Sequence, residues 1–281
     1  MYIDTHCHLN FKAFEGGEAK IVRRAKEAGV ESFVVPGTDI ATSRTAVTIA
    51  QTSVNAFAAV GIHPHHASQY QDDTSNQRLR EDVAQIEGWL SDEKVVGIGE
   101  VGLDRHAYSV SRYGPLISIS EELFEIQKIL FIEQFALAVK YRKSIVIHNR
   151  EAAEDILNLF RSLEAESRAL KGRGVFHCCE PDQRLLSLAK EINFYIGVDG
   201  DVTFSPEKQQ FIQDVPLEML VLETDSPYLL PEPLKSAKKY PNTPANIPLI
   251  AQFVAQIKGV EIGEVADVTT RNARKLFRLP E

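Results

Sequence analysis

Val95 to Asp104 read VVGIGEVGLD, a short β-branched run that passes into glycines and two acids, Glu100 and Asp104. Glycine there lets backbone approach closely, and a carboxylate at the C-terminal end of a strand suits catalysis better than packing. Taken alone, the stretch also fits an acid that caps the following helix. Its meaning comes from the residues that end the other apolar runs of the chain.

Seven further strand-like runs are Tyr2 to Thr5, Ser32 to Pro36, Ala56 to Gly61, Ile145 to Ile147, Gly174 to Phe176, Phe194 to Gly197 and Met219 to Leu222. Helical patterns separate them, among them Glu18 to Ala28, Glu121 to Tyr141 and Pro244 to Lys258. Eight strands, each followed by a helix, predict an α/β fold of the (β/α)8 TIM-barrel type. The 281 residues, 44% of them hydrophobic, fit one barrel domain over 1–281 better than two small domains. A last amphipathic helix, Ile262 to Phe277, is expected to pack on the outside. Arg105 to Ser120, with His106, Tyr108, Arg112 and Tyr113, is a long polar loop after the fourth strand, a length associated with lids.

All eight histidines (6, 8, 63, 65, 66, 106, 148 and 177) fall at or just after the C-terminal end of a predicted strand. A lone histidine is ordinarily a satisfied packing residue, and packing histidines would be scattered over helices and both barrel ends. Placement on one face contradicts that, and it is the face where barrel enzymes keep their active sites. His6 and His8, two apart on the first strand, point to the same side. Closure makes the last strand a neighbour of the first, so Asp225 is expected beside them. Glu100, His148 and His177 end the fourth, fifth and sixth strands and form a second group. Imidazole with carboxylate suits zinc, manganese or iron, and the carboxylates also tolerate magnesium. Two facing groups predict two divalent metal ions, with Glu100 bridging and metals roughly 3.5–4 Å apart, as in centres for in-line displacement.

These stretches together resemble the TatD family of metal-dependent deoxyribonucleases, over nearly the whole chain. DTHCHL (4–9), GIHPH (61–65), GEVGLD (99–104) and VIHNR (146–150) match its strand ends. FHC (176–178), ETDSPYL (223–229) and the helix positions Gln127, Phe131 and Gln134 complete the set. The resemblance implies a deoxyribonuclease, exonucleolytic on single strands, that cleaves phosphodiester bonds with a water activated by two metals. It implies one metal on His6, His8, Glu100 and Asp225 and the other on Glu100, His148 and His177. Glu100 and Asp225 would be the catalytic carboxylates, Asp225 also orienting the water or taking its proton. His63 and Arg150 would lie near the substrate phosphate. His65 is a further phosphate candidate, and Tyr228 with Lys235, Lys238, Lys239 and Tyr240 would guide a strand by charge and stacking.

Three places depart from the family pattern, one of them the Arg105 to Ser120 loop, which is longer than usual. His177 is followed by Cys178, Cys179, Glu180 and Pro181 instead of x-F-S/T-G, and residues 241–246 read PNTPAN where the family has R-N-E-P-A-N. The metal residues are kept while the substrate rim changes. A divergent TatD-like hydrolase acting on another nucleic acid, nucleotide, amide or ester, as in a defence operon, is therefore the alternative, with a catalytically silent metal-binding scaffold a third. A Cys179 nucleophile beside His177 is the least favoured chemistry.

The net charge of -8 argues against sequence-independent wrapping of duplex nucleic acid, which needs a basic face. Bound cations would still admit a phosphate substrate. Three cysteines are too few for a disulfide framework, and no apolar run approaches the roughly 20 residues of a membrane span. The expectation is a cytoplasmic protein with no membrane and no obligate protein partner.

Overall fold

In the computed structural model, which describes residues 1–73, 75–109, 116–117 and 119–280, the predicted runs form parallel strands. They are β1 (Tyr2–Asp4), β2 (Val30–Pro36), β3 (Ala56–Val60) and β4 (Val95–Asp104). After a small antiparallel ribbon of β5 (Tyr108–Ser109) and β6 (Leu116–Ile117) come β7 (Ser144–Arg150), β8 (Gly174–Phe176), β9 (Tyr195–Val198) and β10 (Leu220–Leu222). Arg112 and Tyr113 of the polar loop lie outside the described residues.

The sheet order is β1-β2-β3-β4-β7-β8-β9-β10, each strand pairing in parallel with the next. Closure between β10 and β1 runs through main-chain hydrogen bonds just above the strands. The amide of Thr5 donates to Leu222 (3.0 Å), that of Asp225 to His6 (2.9 Å) and that of His8 to Ser226 (2.8 Å). The seam that closes the barrel therefore joins the segments carrying His6, His8 and Asp225.

Strand parity divides the apolar side chains between two cores. Phe33, Val35, Ala58, Val60, Ile145, Ile147, Leu220 and Leu222 pack outward against the helices. Ile3, Val34, Phe57, Ala59, Val96, Val146, Val175 and Val221 face the barrel axis. With this inner set pack Ala273, Leu276, Phe277 and Leu279, so the end of the C-terminal helix (Ile262–Phe277) closes the barrel interior. This corrects the expectation of an outside position. Asn272 holds the helix there by donating to the carbonyls of Leu217 (3.1 Å) and Leu220 (2.8 Å).

The fourth strand is longer than Val95 to Gly99; it runs on to Asp104, buried throughout. Glu100 thus sits within the strand, not past it, where the pairing with β7 shifts register between Ile98 and Val101. Two glycines allow this. Gly102 has φ +156° and a Cβ there would lie 1.8 Å from the His148 carbonyl oxygen; at Gly99 (φ +153°) it would lie 2.6 Å from Val146 Cβ. Side-chain amides from the helix Glu121–Tyr141 then fix the strand ends. Gln127 accepts from the Asp104 amide (2.8 Å) and donates to its carbonyl (3.0 Å), and Gln134 does the same for Ile62 (2.7 and 3.1 Å). Among the described residues no helix is long and apolar enough to cross a membrane.

Phe277 is 2% exposed and belongs to the interior plug, whereas Ile262 at the helix start is 40% exposed. Phe277→Ala is expected to cost about 3–5 kcal/mol in urea unfolding, and Ile262→Ala less than about 0.5 kcal/mol. Equal small effects would contradict the plug.

Candidate metal centre

The centre is built around the carboxylate of Glu100, 4% exposed at the barrel mouth. Its Oε2 lies 3.3 Å from His6 Nε2 and 3.7 Å from His8 Nε2. Its Oε1 lies 2.9 Å from His148 Nδ1, 3.4 Å from His63 Nε2 and 3.7 Å from His177 Nε2. Asp225 Oδ1 approaches His8 Nε2 (3.3 Å), His6 Nε2 (3.7 Å) and His177 Nε2 (4.0 Å). His6 and His177 stack with ring centroids 3.5 Å apart. All six residues expected to hold metal therefore meet at one place. The grouping differs in one respect: ligand-type atoms of His148 group with Glu100 and His63, while those of His177 group with Glu100 and His6.

Ring-nitrogen partners separate these histidines chemically. His8 Nδ1 faces the Pro36 carbonyl (3.3 Å), which only accepts, so Nδ1 carries the proton and Nε2 keeps a lone pair. His148 Nε2 lies 2.9 Å from Asp104 Oδ2, leaving Nδ1 toward Glu100. His177 Nδ1 lies 2.9 Å from Glu223 Oε1 in a bent contact, leaving Nε2 inward. This carboxylate- or carbonyl-backed arrangement is the one that orients metal-binding imidazoles. His63 is the reverse. Its Nδ1 accepts from the His65 amide (3.1 Å), so the neutral ring carries its proton on Nε2 and presents a donor.

Electrostatics agree with a site that, among the described residues, has no lysine or arginine at its centre. Burial would raise the Glu100 carboxyl, but His63, His177 and His6 hold it well below the usual range. Burial pushes His6 and His63 each down to about 3, His177 adding to the fall at His6. Burial opposes charge on His148 and His177 as well, yet Asp104 and Glu100 lift His148 to about 9, and Glu223 and Glu100 lift His177 to about 10. His6 Nε2 and His8 Nε2 face each other at 3.1 Å, and the buried His6 Nδ1 has no partner among the described residues. Convergent imidazole nitrogens and carboxylate oxygens are a donor set that fits divalent metal ions.

Glu223 is an acid whose orienting role sequence reading missed. Asp104 takes His65 (2.9 Å), His148 (2.9 Å) and the Tyr108 hydroxyl (2.7 Å) on one oxygen. The position of Glu223, two before Asp225, was its only signal. Asp225 and Cys178 carry left-handed backbone, φ +48° and +44°, a conformation that clusters at functional sites.

A cavity of about 720 Å³ opens above the centre. His65, Tyr108, Arg150, Lys208, Glu180, Asp201 and Glu207 line it, as do Phe11 and Tyr228. Arg150 donates to the Tyr108 hydroxyl (3.1 Å), and Tyr228, 55% exposed, lies edge-on to Phe11 at 6.3 Å. Lys235, Lys238, Lys239 and Tyr240 are not among the lining residues, and His106 turns to Glu151 (2.5 Å). Burial lifts the Cys179 thiol to about 12, which leaves it without the thiolate a nucleophile needs.

Comparison with known proteins places the chain. The family model for TatD related DNase matches residues 3–278. The chain is 32% identical over 281 residues to the uncharacterized metal-dependent hydrolase YabD of Bacillus subtilis, covering 99% of this chain and 100% of that one. It is 29% identical over 281 residues to the 3'-5' ssDNA/RNA exonuclease TatD of Erwinia tasmaniensis, covering 98% and 99%. The crystal structure of YjjV, a TatD homologue from Escherichia coli, superposes with a TM-score of 0.81 at 26% identity, covering 99% and 98%. With its barrel and its histidine–carboxylate centre, the chain belongs to the TatD family of metal-dependent hydrolases.

Proposed function

We propose that this protein is a two-metal phosphodiesterase that removes nucleotides from single-stranded DNA. The observation that carries the reading is the convergence of imidazole nitrogens on both oxygens of the buried Glu100 carboxylate. A relative named as a 3'-5' ssDNA/RNA exonuclease supports the substrate class.

One cation would be held by His6, His8, Asp225 and Glu100, the other by Glu100, His148 and His177. Such cations, when bound, make water acidic enough to attack phosphorus and offset charge on the phosphoryl oxygens. The chain supplies the rest. Asp225, its side chain 16% exposed at the cavity, takes the proton of the attacking water. His63 Nε2–H donates to a phosphate oxygen, because its tautomer makes it a donor. Arg150 gives a fixed positive charge at the rim, with its guanidinium 5.2 Å above the Tyr108 ring. Tyr228 offers an exposed aromatic face to a base.

A second reading, hydrolysis of a non-nucleic ester or amide, is favoured by the carboxylates Glu180 and Glu207 in the cavity lining, which repel a long polyanion.

Glu100→Ala is expected to lose both metals by elemental analysis and to drop kcat/KM on single-stranded DNA by at least about 10²-fold. A variant that keeps both metals and full activity refutes the assignment. The tautomers predict a sharper contrast. His177→Asn should bind about half as much metal, whereas His63→Asn should keep the full stoichiometry and lose roughly 10–100-fold in kcat/KM, the scale of one hydrogen bond to a charged group. For substrate, single-stranded DNA, RNA, lactones and amides should be compared under manganese; turnover of only the last two would overturn the nuclease reading.

A further inference from the structure

Away from Glu100, the cavity wall after β8 and β9 holds a second group of ligand-type side chains. Cys178, Asp199 and Asp201 place a sulfur and two carboxylate oxygens within 4.8 Å of one another. Asp199 caps the turn Gly200–Thr203, with Oδ1 accepting from the Asp201 amide at 2.7 Å. Its other oxygen, Oδ2, has no partner among the described residues, although Asp199 is 0% exposed. Asp201 Oδ1 is also buried and unpartnered.

One cation is already present, and it does not complete the group. Lys208, 2% exposed, reaches Asp201 Oδ2 at 3.2 Å and donates to the Cys179 carbonyl at 2.7 Å. Two buried carboxylates against one ammonium leave an uncompensated negative charge and two orphaned oxygens, an arrangement that is costly away from water. A proton shared between the carboxylates would relieve it. A divalent cation relieves it better, because it also engages the sulfur on the third side. With a thiolate, two carboxylates and Lys208, a doubly charged ion brings the group to neutrality. Cys178 and Asp201 both line the cavity, which leaves a coordination position open to it.

We propose that Cys178, Asp199 and Asp201 form a further divalent-cation site, distinct from the centre at Glu100 and suited by its sulfur to zinc or cobalt. Binding releases the Cys178 thiol proton to solvent. A cation here puts a positive charge in the cavity that Glu180 and Glu207 also line, where it meets an anionic part of the substrate. The site does not depend on the nuclease reading.

Cobalt(II) added to the metal-free full-length protein tests it, because only thiolate ligation gives the near-ultraviolet sulfur-to-cobalt charge-transfer band. The band should appear in the wild type and persist in Glu100→Ala, where it should saturate with one equivalent. It should vanish in Cys178→Ser but remain in Cys179→Ser. In Asp201→Asn it should require at least about tenfold more cobalt. A wild-type protein that binds cobalt without the band overturns the proposal and leaves the shared proton. A band that survives in Cys178→Ser, disappears in Glu100→Ala or is unmoved in Asp201→Asn overturns it as well.

Discussion

A buried carboxylate stays ionised only where something positive or hydrogen-bonding meets it. At Glu100 that requirement organises the mouth of the barrel. Imidazoles of His6 and His8 approach one oxygen, and those of His63, His148 and His177 the other. Each histidine comes from a different strand end, apart from the pair that follows β1. Only a closed ring of parallel strands brings such distant positions within a few ångströms, and the seam from Thr5 to Ser226 closes that ring beside the centre.

The supporting structure is polar above and apolar below. Gln127 and Gln134 act as peptide mimics that pin the ends of β4 and β3, so Asp104 is held where it can receive His148. The plug of Leu276 and Phe277 fills the lower interior with hydrocarbon. Rigidity at the bottom and satisfied amides at the top set side-chain positions that a loop could not hold.

Much of this is legible in the sequence, for a geometric reason. A barrel turns strand-end positions into neighbours, so counting strands is enough to seat His6, His8 and Asp225 together. Which ring nitrogen points inward is not legible, because it depends on contacts with Pro36, Asp104 and Glu223 that spacing does not reveal. The C-terminal helix fails for another reason. Its periodicity reveals an apolar face but not whether that face meets the outer helices or the open end of the barrel. The extent of β4 is hidden too, since glycines at 99 and 102 read as a strand's end and in fact allow it to continue past Glu100. The altered segment Cys178–Pro181 carries no family meaning, and its chemistry emerges only when β9 brings Asp199 and Asp201 beside it.

Anomalous diffraction from crystals of the manganese- or zinc-loaded protein tests the central claim most directly. Two metal peaks sharing the Glu100 carboxylate are predicted, with His8 Nε2, His148 Nδ1 and His177 Nε2 as ligand atoms and His63 Nε2 unligated. A single peak at Glu100, or coordination through His63 in place of His177, would contradict that claim.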